Sequence, residues 1–258
     1  MAKQLLIYES SVPLNAATHR ELSFDPVPGY GFASGINAVP LTAVEIAAAA
    51  PEYAIVFVEA GADVVPVAVL GIRNDQNLFL SADARWEAKY VPAFVRRYPF
   101  VFAASPDQKM LTLCIDETHP GFNTEGRGER LFDAEGQPTA YAGRVLEFLK
   151  EYQTQFERTR LFCRKLKDLG LLEPMEAVVS LPEGKQVPLR GFLGVSRERL
   201  RGLDGADLAS LAKTDELELV YLHLASMRNF NDVKDRFVGA MASAPGAEAA
   251  EELAGVPS

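Results

Sequence analysis

Apolar positions along the chain change their spacing several times, and each change predicts a different kind of element. Two runs of β-branched and aromatic residues, 53–58 and 64–70, are separated by Gly61-Ala62-Asp63, which is typical of an antiparallel hairpin. Both runs are almost continuously apolar, which predicts a sheet that is covered on both faces. A third run, 78–80, follows a turn signal, and we interpret the three runs as an antiparallel meander.

Helical spacing is strongest between residues 139 and 169. There apolar side chains recur every three or four positions, and Gly170 follows as a natural stop. A capping box at residues 42–45 predicts a short helix. Residues 83–97 also show helical spacing, and we expect a helix there that Pro92 kinks or divides.

Two further hairpins are predicted from short apolar runs that turn residues separate. The first joins 100–104 to 109–115, and the second joins 176–181 to 186–195 through a turn at 182–185. Three helical stretches then open near Ser196, Asp204 and Leu217.

Strands and helices do not alternate one for one, which predicts the α+β class. We expect an antiparallel or mixed sheet packed by a long helix and several shorter helices, with a C-terminal lobe of one hairpin and its helices. Residues 1–238 are predicted to form a single domain, within which 175–215 either belongs to the main body or forms a small sub-lobe. Residues 239–258, mostly Ala, Gly, Ser, Pro and Glu, are predicted to be a disordered tail. Residues 1–40 are predicted to be an irregular arm that lies on the core, and 118–138 a long loop.

Charge and composition restrict the classes of partner. The chain has 258 residues, of which 48% are hydrophobic, and its net charge is −9. These values exclude general disorder and make nucleic acid an unexpected partner, because an acidic protein repels phosphates. A cluster of five cations between 158 and 167 is interpreted as a solvated helix face.

Cellular location is inferred from segments that are missing. No run approaches the roughly 18 apolar residues of a membrane span, so no membrane insertion is expected. The apolar run at residues 5–7 is too short for a signal peptide. Cys114 and Cys163, the only two cysteines, lie in apolar contexts and are expected to be free and buried. We therefore expect a soluble, cytoplasmic protein.

A metal site is one candidate chemistry. The chain has three histidines, His19, His119 and His223, and Asp116 precedes His119 by three residues. Asp116, His119 and His223 would suit a non-haem-iron-like site, which brings iron or zinc into question as a cofactor. Their spacing matches no known signature, so ordinary loop and core histidines are the competing interpretation, and no cofactor is predicted.

Ligand binding is the other candidate. An aromatic cluster at residues 86–100 contains Trp86, Tyr90 and Arg97, and we expect most of it to be core and a part to line a ligand groove. In the long loop, Arg127, Glu129 and Arg130 either bind a ligand or hold the loop through ion pairs with neighbouring charges. No nucleophile elbow or phosphate-binding loop is present, so no catalytic residue is assigned.

Several stretches, taken together and in this order, resemble the bacterial SapC family. The stretches that carry the resemblance lie at 40–45, 53–57, 86–92, 97–100, 128–133, 162–163, 169–174 and 221–226. They run across residues 10–237. The family meant is named after a bacterial surface-layer locus and differs from the peptide-transporter permease of the same name, which would need membrane spans.

The resemblance implies a chain of about this length and little about mechanism. Members often accompany outer-membrane receptors, flavin-dependent halogenase-like proteins and cupin-like proteins, and no catalytic residues can be transferred from them. We expect an accessory or binding protein that acts on a protein or peptide partner, with homo-oligomerisation left open. A metal-dependent enzyme of specialised metabolism and a structural component of a surface assembly are the two alternatives.

Overall fold

The computed structural model describes residues 6–105, 110–180 and 186–243. The predicted turn at 182–185 and most of the turn before residue 110 lie outside the described residues. The strands are β1 (Ser11–Pro13), β2 (Ser23–Phe24), β3 (Ala38–Pro40), β4 (Ile55–Ala60), β5 (Asp63–Val69), β6 (Phe100–Ala104), β7 (Leu111–Asp116), β8 (Phe122–Asn123), β9 (Glu129–Arg130), β10 (Leu172–Ser180) and β11 (Gln186–Val195).

Helices alternate irregularly with these strands, and all described strand pairs are antiparallel, so the α+β class is confirmed. The helices are α1 (Ala16–His19), α2 (Ile46–Ala49), α3 (Ala93–Arg96), α4 (Ala140–Asp168), α5 (Arg197–Arg201), α6 (Gly205–Lys213), α7 (Glu216–Ser226) and α8 (Phe230–Ser243). Short 3-10 turns lie at Gly31–Ala33, Ala43–Glu45 and Met227–Asn229.

The main sheet has five strands in the order β10-β11-β4-β5-β3. Its centre is the predicted hairpin β4–β5, whose first three residues from Ile55 are buried, in agreement with a sheet covered on both faces. The prediction of a third meander strand at 78–80 was wrong, because that run forms only a single bridge, from Leu80 to Trp86. Asn77 Oδ1 accepts a hydrogen bond from the Phe79 N–H at 2.9 Å and turns the chain there.

The N-terminal arm takes part in all three sheets that the described residues form. Its strand β1 is an edge of the sheet β1-β7-β6, β2 lies between β8 and β9, and β3 is an edge of the main sheet. The apolar side chains of the arm explain this attachment, since Phe24 and Ile36 are buried. The prediction of an arm lying on the core is thus confirmed, with short strands in place of wholly irregular chain.

The long helix α4 has 29 residues and is the element that the sequence predicts most accurately. Thr139 is its N-cap, and its side chain accepts a hydrogen bond from the Ala142 N–H at 3.3 Å. Gly170 adopts a φ of 64° directly after the helix, a conformation that glycine tolerates without strain.

The prediction of a helix over 83–97 was wrong, because only α3 at its end is helical. The carboxylate of Glu52 accepts hydrogen bonds from the backbone N–H groups of Lys89, at 2.7 Å, and Tyr90, at 3.0 Å. These bonds replace the helical pairing of both groups. Pro92 then serves as the N-cap of α3, where its missing N–H does no harm.

The second predicted hairpin, β10–β11, begins at Leu172 and joins the main sheet through β11, where Leu193 pairs with Phe57 of β4. Helices α5 and α6 follow, with Ser196 and Asp204 as the predicted N-caps. The last helix extends to Ser243, so the first five residues of the predicted tail, 239–243, are helical, and the chain from 244 onward lies outside the described residues.

Buried side chains form two clusters, which meet near α3. The larger one lies on the main sheet and includes Phe57, Val95 and Phe237. The smaller one includes Phe24, Phe100, Ile115, Leu131, Phe132 and Leu149. One face of α4 packs against the smaller cluster at its N-terminal end and against the larger one near Phe162.

Candidate functional site

Trp86 and Tyr90, two of the predicted ligand residues, belong to a hydrogen-bonded network on the larger cluster. Trp86 Nε1 donates to the Tyr53 hydroxyl at 2.7 Å, and that hydroxyl donates to the Tyr90 carbonyl oxygen. Burial raises the pKa of Tyr53, so its hydroxyl stays protonated at any physiological pH. The network fixes the extended segment before α3.

The carboxylate of Glu45 anchors the other end of that segment. Glu45 is only 5% exposed, and within the confirmed capping box it accepts a hydrogen bond from the Thr42 N–H at 2.7 Å. It also accepts from the Tyr90 hydroxyl at 2.8 Å and from the Ala93 N–H at 2.7 Å. One buried carboxylate therefore sets the start and direction of α3, and with it the positions of Arg96 and Arg97.

A cavity of about 510 Å³ opens between the arm, the segment from α3 to β6, and the first turns of α4. We call it the arm–helix pocket. Its wall residues are Phe24, Pro26, Val27, Pro28, Gly29, Tyr30, Phe32, Val95, Arg96, Arg97, Tyr98, Phe100, His119, Tyr141, Arg144, Val145, Phe148 and Leu149. The pocket lies where the two buried clusters meet, since Val95 belongs to one and Phe24, Phe100 and Leu149 to the other.

Arginines supply the charge of the pocket, and no aspartate or glutamate belongs to its described wall. Arg97, a predicted ligand residue, is 5% exposed and lies over Phe94, with its guanidinium carbon 4.3 Å from the ring centroid. The guanidinium carbon of Arg96 is 5.5 Å from the Phe148 centroid, and that of Arg144 is 5.7 Å from the Tyr141 centroid. Cations held over aromatic faces are stabilised there by the ring quadrupole.

Trp86 and Tyr90 stand behind this wall. The Trp86 ring contacts Tyr30 edge-on at 5.6 Å, and the Arg96 guanidinium lies 5.9 Å from the Tyr90 centroid. Both therefore support wall residues and do not themselves line the pocket. Their role as direct ligand residues stays a prediction.

His119 contributes a polar group to the pocket wall. Its Nδ1 accepts a hydrogen bond from the Gly121 N–H at 2.9 Å, which places the ring proton of the neutral form on Nε2. Nε2 has no hydrogen-bond partner within the described part of the chain. Burial lowers the pKa of His119, and the nearby charge of Asp116 opposes this only in part. The ring thus offers a neutral N–H donor to the pocket.

Two glycines of the long loop hold the arm at the pocket. The Gly121 carbonyl accepts a hydrogen bond from the Asp25 N–H at 2.9 Å. A Cβ at position 121 would overlap the Asp25 carbonyl oxygen, and one at position 128 would overlap the Phe24 carbonyl oxygen. Only glycine lets the loop approach the arm this closely, which explains why the loop is rich in that residue.

The predicted metal set of Asp116, His119 and His223 does not converge. Across residues 6–105, 110–180 and 186–243 no three His, Cys, Asp or Glu side chains are grouped to hold a metal ion. His223 Nε2 accepts from the Val195 N–H at 3.0 Å, and Nδ1 lies 2.8 Å from the Ile55 carbonyl oxygen. Both ring nitrogens of His223 therefore form hydrogen bonds to backbone groups of the main sheet. This explains why His223 does not join Asp116 and His119 as a metal ligand. Burial lowers the pKa of His223 to about 4.

Asp116 has a structural role, which is to bind the arm. Its carboxylate accepts hydrogen bonds from the backbone N–H groups of Glu9, at 2.7 Å, and Ser10, at 3.1 Å. Burial alone would raise the pKa of Asp116. The hydrogen bonds that its carboxylate accepts from Glu9, Thr118 and Ser10 outweigh the effect of burial, so the pKa lies below its ordinary value. Asp116 thus ties the arm to β7.

The third histidine, His19, lies at the end of α1, and its Nδ1 accepts a hydrogen bond from the Asn15 N–H at 3.2 Å.

The predicted charged residues of the long loop lie on the surface, outside the pocket wall. Arg127 forms an ion pair with Glu125 at 3.0 Å, within the loop as the ion-pair interpretation expected. Arg130 pairs with Glu21 of the arm at 2.9 Å, and Glu129 is exposed. Ligand binding by these three residues stays a prediction.

Sequence reasoning missed Arg96, Arg144 and the wall face of α4. Tyr141, Val145 and Phe148 were recognised as a helical stripe, and such stripes usually indicate core. An arginine inside the span of that stripe, at 144, was the available signal. Arg96 gave none, because an exposed arginine at the end of a short helix has the sequence character of an ordinary solvated residue.

Comparison with known proteins gives one finding. A family model with the description SapC matches residues 14–233. Neither the curated proteins nor the solved structures give a match. Among the residues that the structure describes, no helix has the length and apolar character to span a bilayer.

Proposed function

The chain belongs to the SapC family, and we propose that it is a binding protein that holds a segment of a protein or peptide partner in the arm–helix pocket. The observation that carries this proposal is the pocket itself, an aromatic concave site with three arginines on its wall. Its volume of about 510 Å³ lies in the range of about 300–1,000 Å³ that is typical of ligand sites.

A peptide segment suits the shape of this site. The arm residues on the rim are exposed, Val27 by 47%, while the floor residues Val95 and Leu149 are buried. An extended chain can therefore enter and leave across the rim and place one or two side chains on the floor. Such insertion of an apolar side chain into a desolvated pocket is the usual source of affinity in peptide recognition.

The reactive side chains of the described residues support binding more than covalent chemistry. Burial raises the pKa of both cysteine thiols, that of Cys163 to about 12, so neither is a thiolate at neutral pH. Both cysteines are free and buried. Free cysteines are usual in a reducing compartment, and the proposal accordingly places the protein in the cytoplasm.

A display experiment tests the proposal. A phage library of random peptides is selected on the wild-type chain, on Val145→Trp, which places a much bulkier side chain on the pocket wall, and on Leu161→Trp. Leu161 is 62% exposed on the same helix and is absent from the pocket wall, so it provides a matched control. We expect enrichment on the wild type and on Leu161→Trp and none on Val145→Trp. Equal enrichment on all three proteins, or none on any, would contradict the proposal.

A further inference from the structure

Arg96 is held at the pocket mouth by its own backbone segment. Its Nε donates to the Val91 carbonyl oxygen at 2.9 Å, and its guanidinium lies against the Phe148 ring. The residue is exposed, and a guanidinium has five N–H donors in all. A bound ligand can therefore receive hydrogen bonds from Arg96 without breaking the bond to Val91.

Arg144 faces the same cavity from α4, one turn before Phe148. Neither Arg96 nor Arg144 forms an ion pair with a carboxylate of the described residues. Other arginines of the surface also lack one. What distinguishes these two is that both border one aromatic cavity, which also contains the N–H donor of His119.

The charge of the pocket is opposite to that of the whole molecule. The chain carries a net charge of −9, whereas the described pocket wall has three arginines and no acidic residue. Arginine binds carboxylates through paired N–H donors, and such bonds are stronger beside low-dielectric aromatic walls. The complementary ligand has negative charge next to an apolar group.

We infer that the arm–helix pocket recognises an acidic peptide segment with an aromatic or bulky apolar side chain. The apolar side chain lies on the floor between Val95, Phe148 and Leu149, and neighbouring carboxylates bind Arg96 and Arg144. This inference rests on the proposed peptide-binding function and adds the chemistry that selects the partner.

Titration calorimetry with defined peptides tests the inference. The probes are acetylated, amidated hexapeptides with a central Asp-Phe-Asp, Asn-Phe-Asn or Asp-Ala-Asp. The proteins are the wild type, Arg96→Gln, Arg144→Gln and Arg158→Gln. Arg158 is exposed on α4 outside the pocket wall and forms no ion pair within the described part of the chain, so it controls for the loss of one positive charge.

The Asp-Phe-Asp peptide should bind most tightly, and the Asn or Ala peptide about tenfold more weakly. Arg96→Gln and Arg144→Gln should each weaken binding of Asp-Phe-Asp by about tenfold, and Arg158→Gln by less than about twofold. Raising NaCl from about 50 mM to about 500 mM should weaken that binding as well, because exposed charges are screened.

Four results would overturn the inference. If Asn-Phe-Asn binds as tightly as Asp-Phe-Asp, or if Arg158→Gln weakens binding as much as Arg96→Gln, the arginines do not select carboxylates. If the displayed peptides that are enriched on the wild type and not on Val145→Trp carry no acidic residue, the inference fails while the proposed function stands. If 3-phenylpropionate binds and every displayed and synthetic peptide fails, the pocket serves a small aromatic acid, and both proposals fail.

Discussion

Acidification should destabilise this protein between pH 6.5 and pH 4, and His223 should account for most of the change. Its imidazole is 1% exposed and accepts a hydrogen bond from the Val195 N–H, which a protonated ring cannot do. Burial lowers its pKa from the ordinary 6.5 to about 4 in the folded protein. The unfolded chain therefore binds the proton first, and stability falls with pH.

The magnitude follows from the pKa difference. Each pKa unit corresponds to about 1.36 kcal/mol, so a fall from 6.5 to about 4 removes about 3 kcal/mol from the free energy of unfolding. The contribution is complete above pH 6.5 and is lost once the pH has reached about 4. His119 acts in the same direction, because burial lowers its pKa too. Asp63 and Asp116, with lowered pKa values, lose their contributions chiefly below their unfolded value of 3.8.

Urea denaturation at a series of pH values measures this effect. His223→Gln is the matched variant, since an amide offers one donor and one acceptor and does not titrate. The wild-type free energy of unfolding should fall by about 3 kcal/mol more than that of His223→Gln from pH 7 to pH 4. Parallel pH profiles of the two proteins would refute the reasoning.

Four further variants, one of them a control, probe the pocket and its supports. Glu45→Gln should lower the free energy of unfolding by about 2 kcal/mol in urea denaturation, because a buried carboxylate that accepts four hydrogen bonds is lost. Gly128→Ala should destabilise more than Gly126→Ala, by about 1–3 kcal/mol, since both glycines have positive φ and only Gly128 adjoins the Phe24 carbonyl; equal losses would argue against close packing of the arm. His119→Asn should retain the acceptor for the Gly121 N–H and weaken peptide binding about threefold in calorimetry, and unchanged affinity would exclude the donor role.

Local pattern was sufficient for the elements whose stability is largely local. The 29 residues of α4 carry a long stripe, an N-cap at Thr139 and a stop at Gly170, and all three signals agree. The hairpin β4–β5 was equally clear, because two apolar runs are separated by a turn.

Elements that depend on distant partners were predicted less well. Residues 83–97 have helical spacing, yet Glu52 binds the N–H groups of Lys89 and Tyr90 and keeps the segment extended. Spacing alone contains no information about that carboxylate, which lies more than thirty positions earlier in the chain. Tertiary contacts therefore overrode the local preference.

The candidate site shows the same division. Arg97 was predicted from its place in an aromatic cluster, and it lines the pocket. Arg96 and Arg144 are exposed and lie on different helices. Most arginines are exposed, so nothing in the sequence distinguishes these two from ordinary solvated residues. Only the packing of α3 beside α4 brings them to one cavity. His119 was singled out as a metal ligand, and the structure places it in the wall of that cavity.

Methyl NMR tests the central claim, that the arm–helix pocket binds an acidic peptide segment, most directly. Protein labelled on valine and leucine methyl groups is titrated with the Asp-Phe-Asp hexapeptide. We predict that the chemical shifts change at Val95, Val145 and Leu149, and that Val187 and Leu189 of β11 stay unperturbed. Shift changes confined to β11, or none at saturating peptide, would contradict the account.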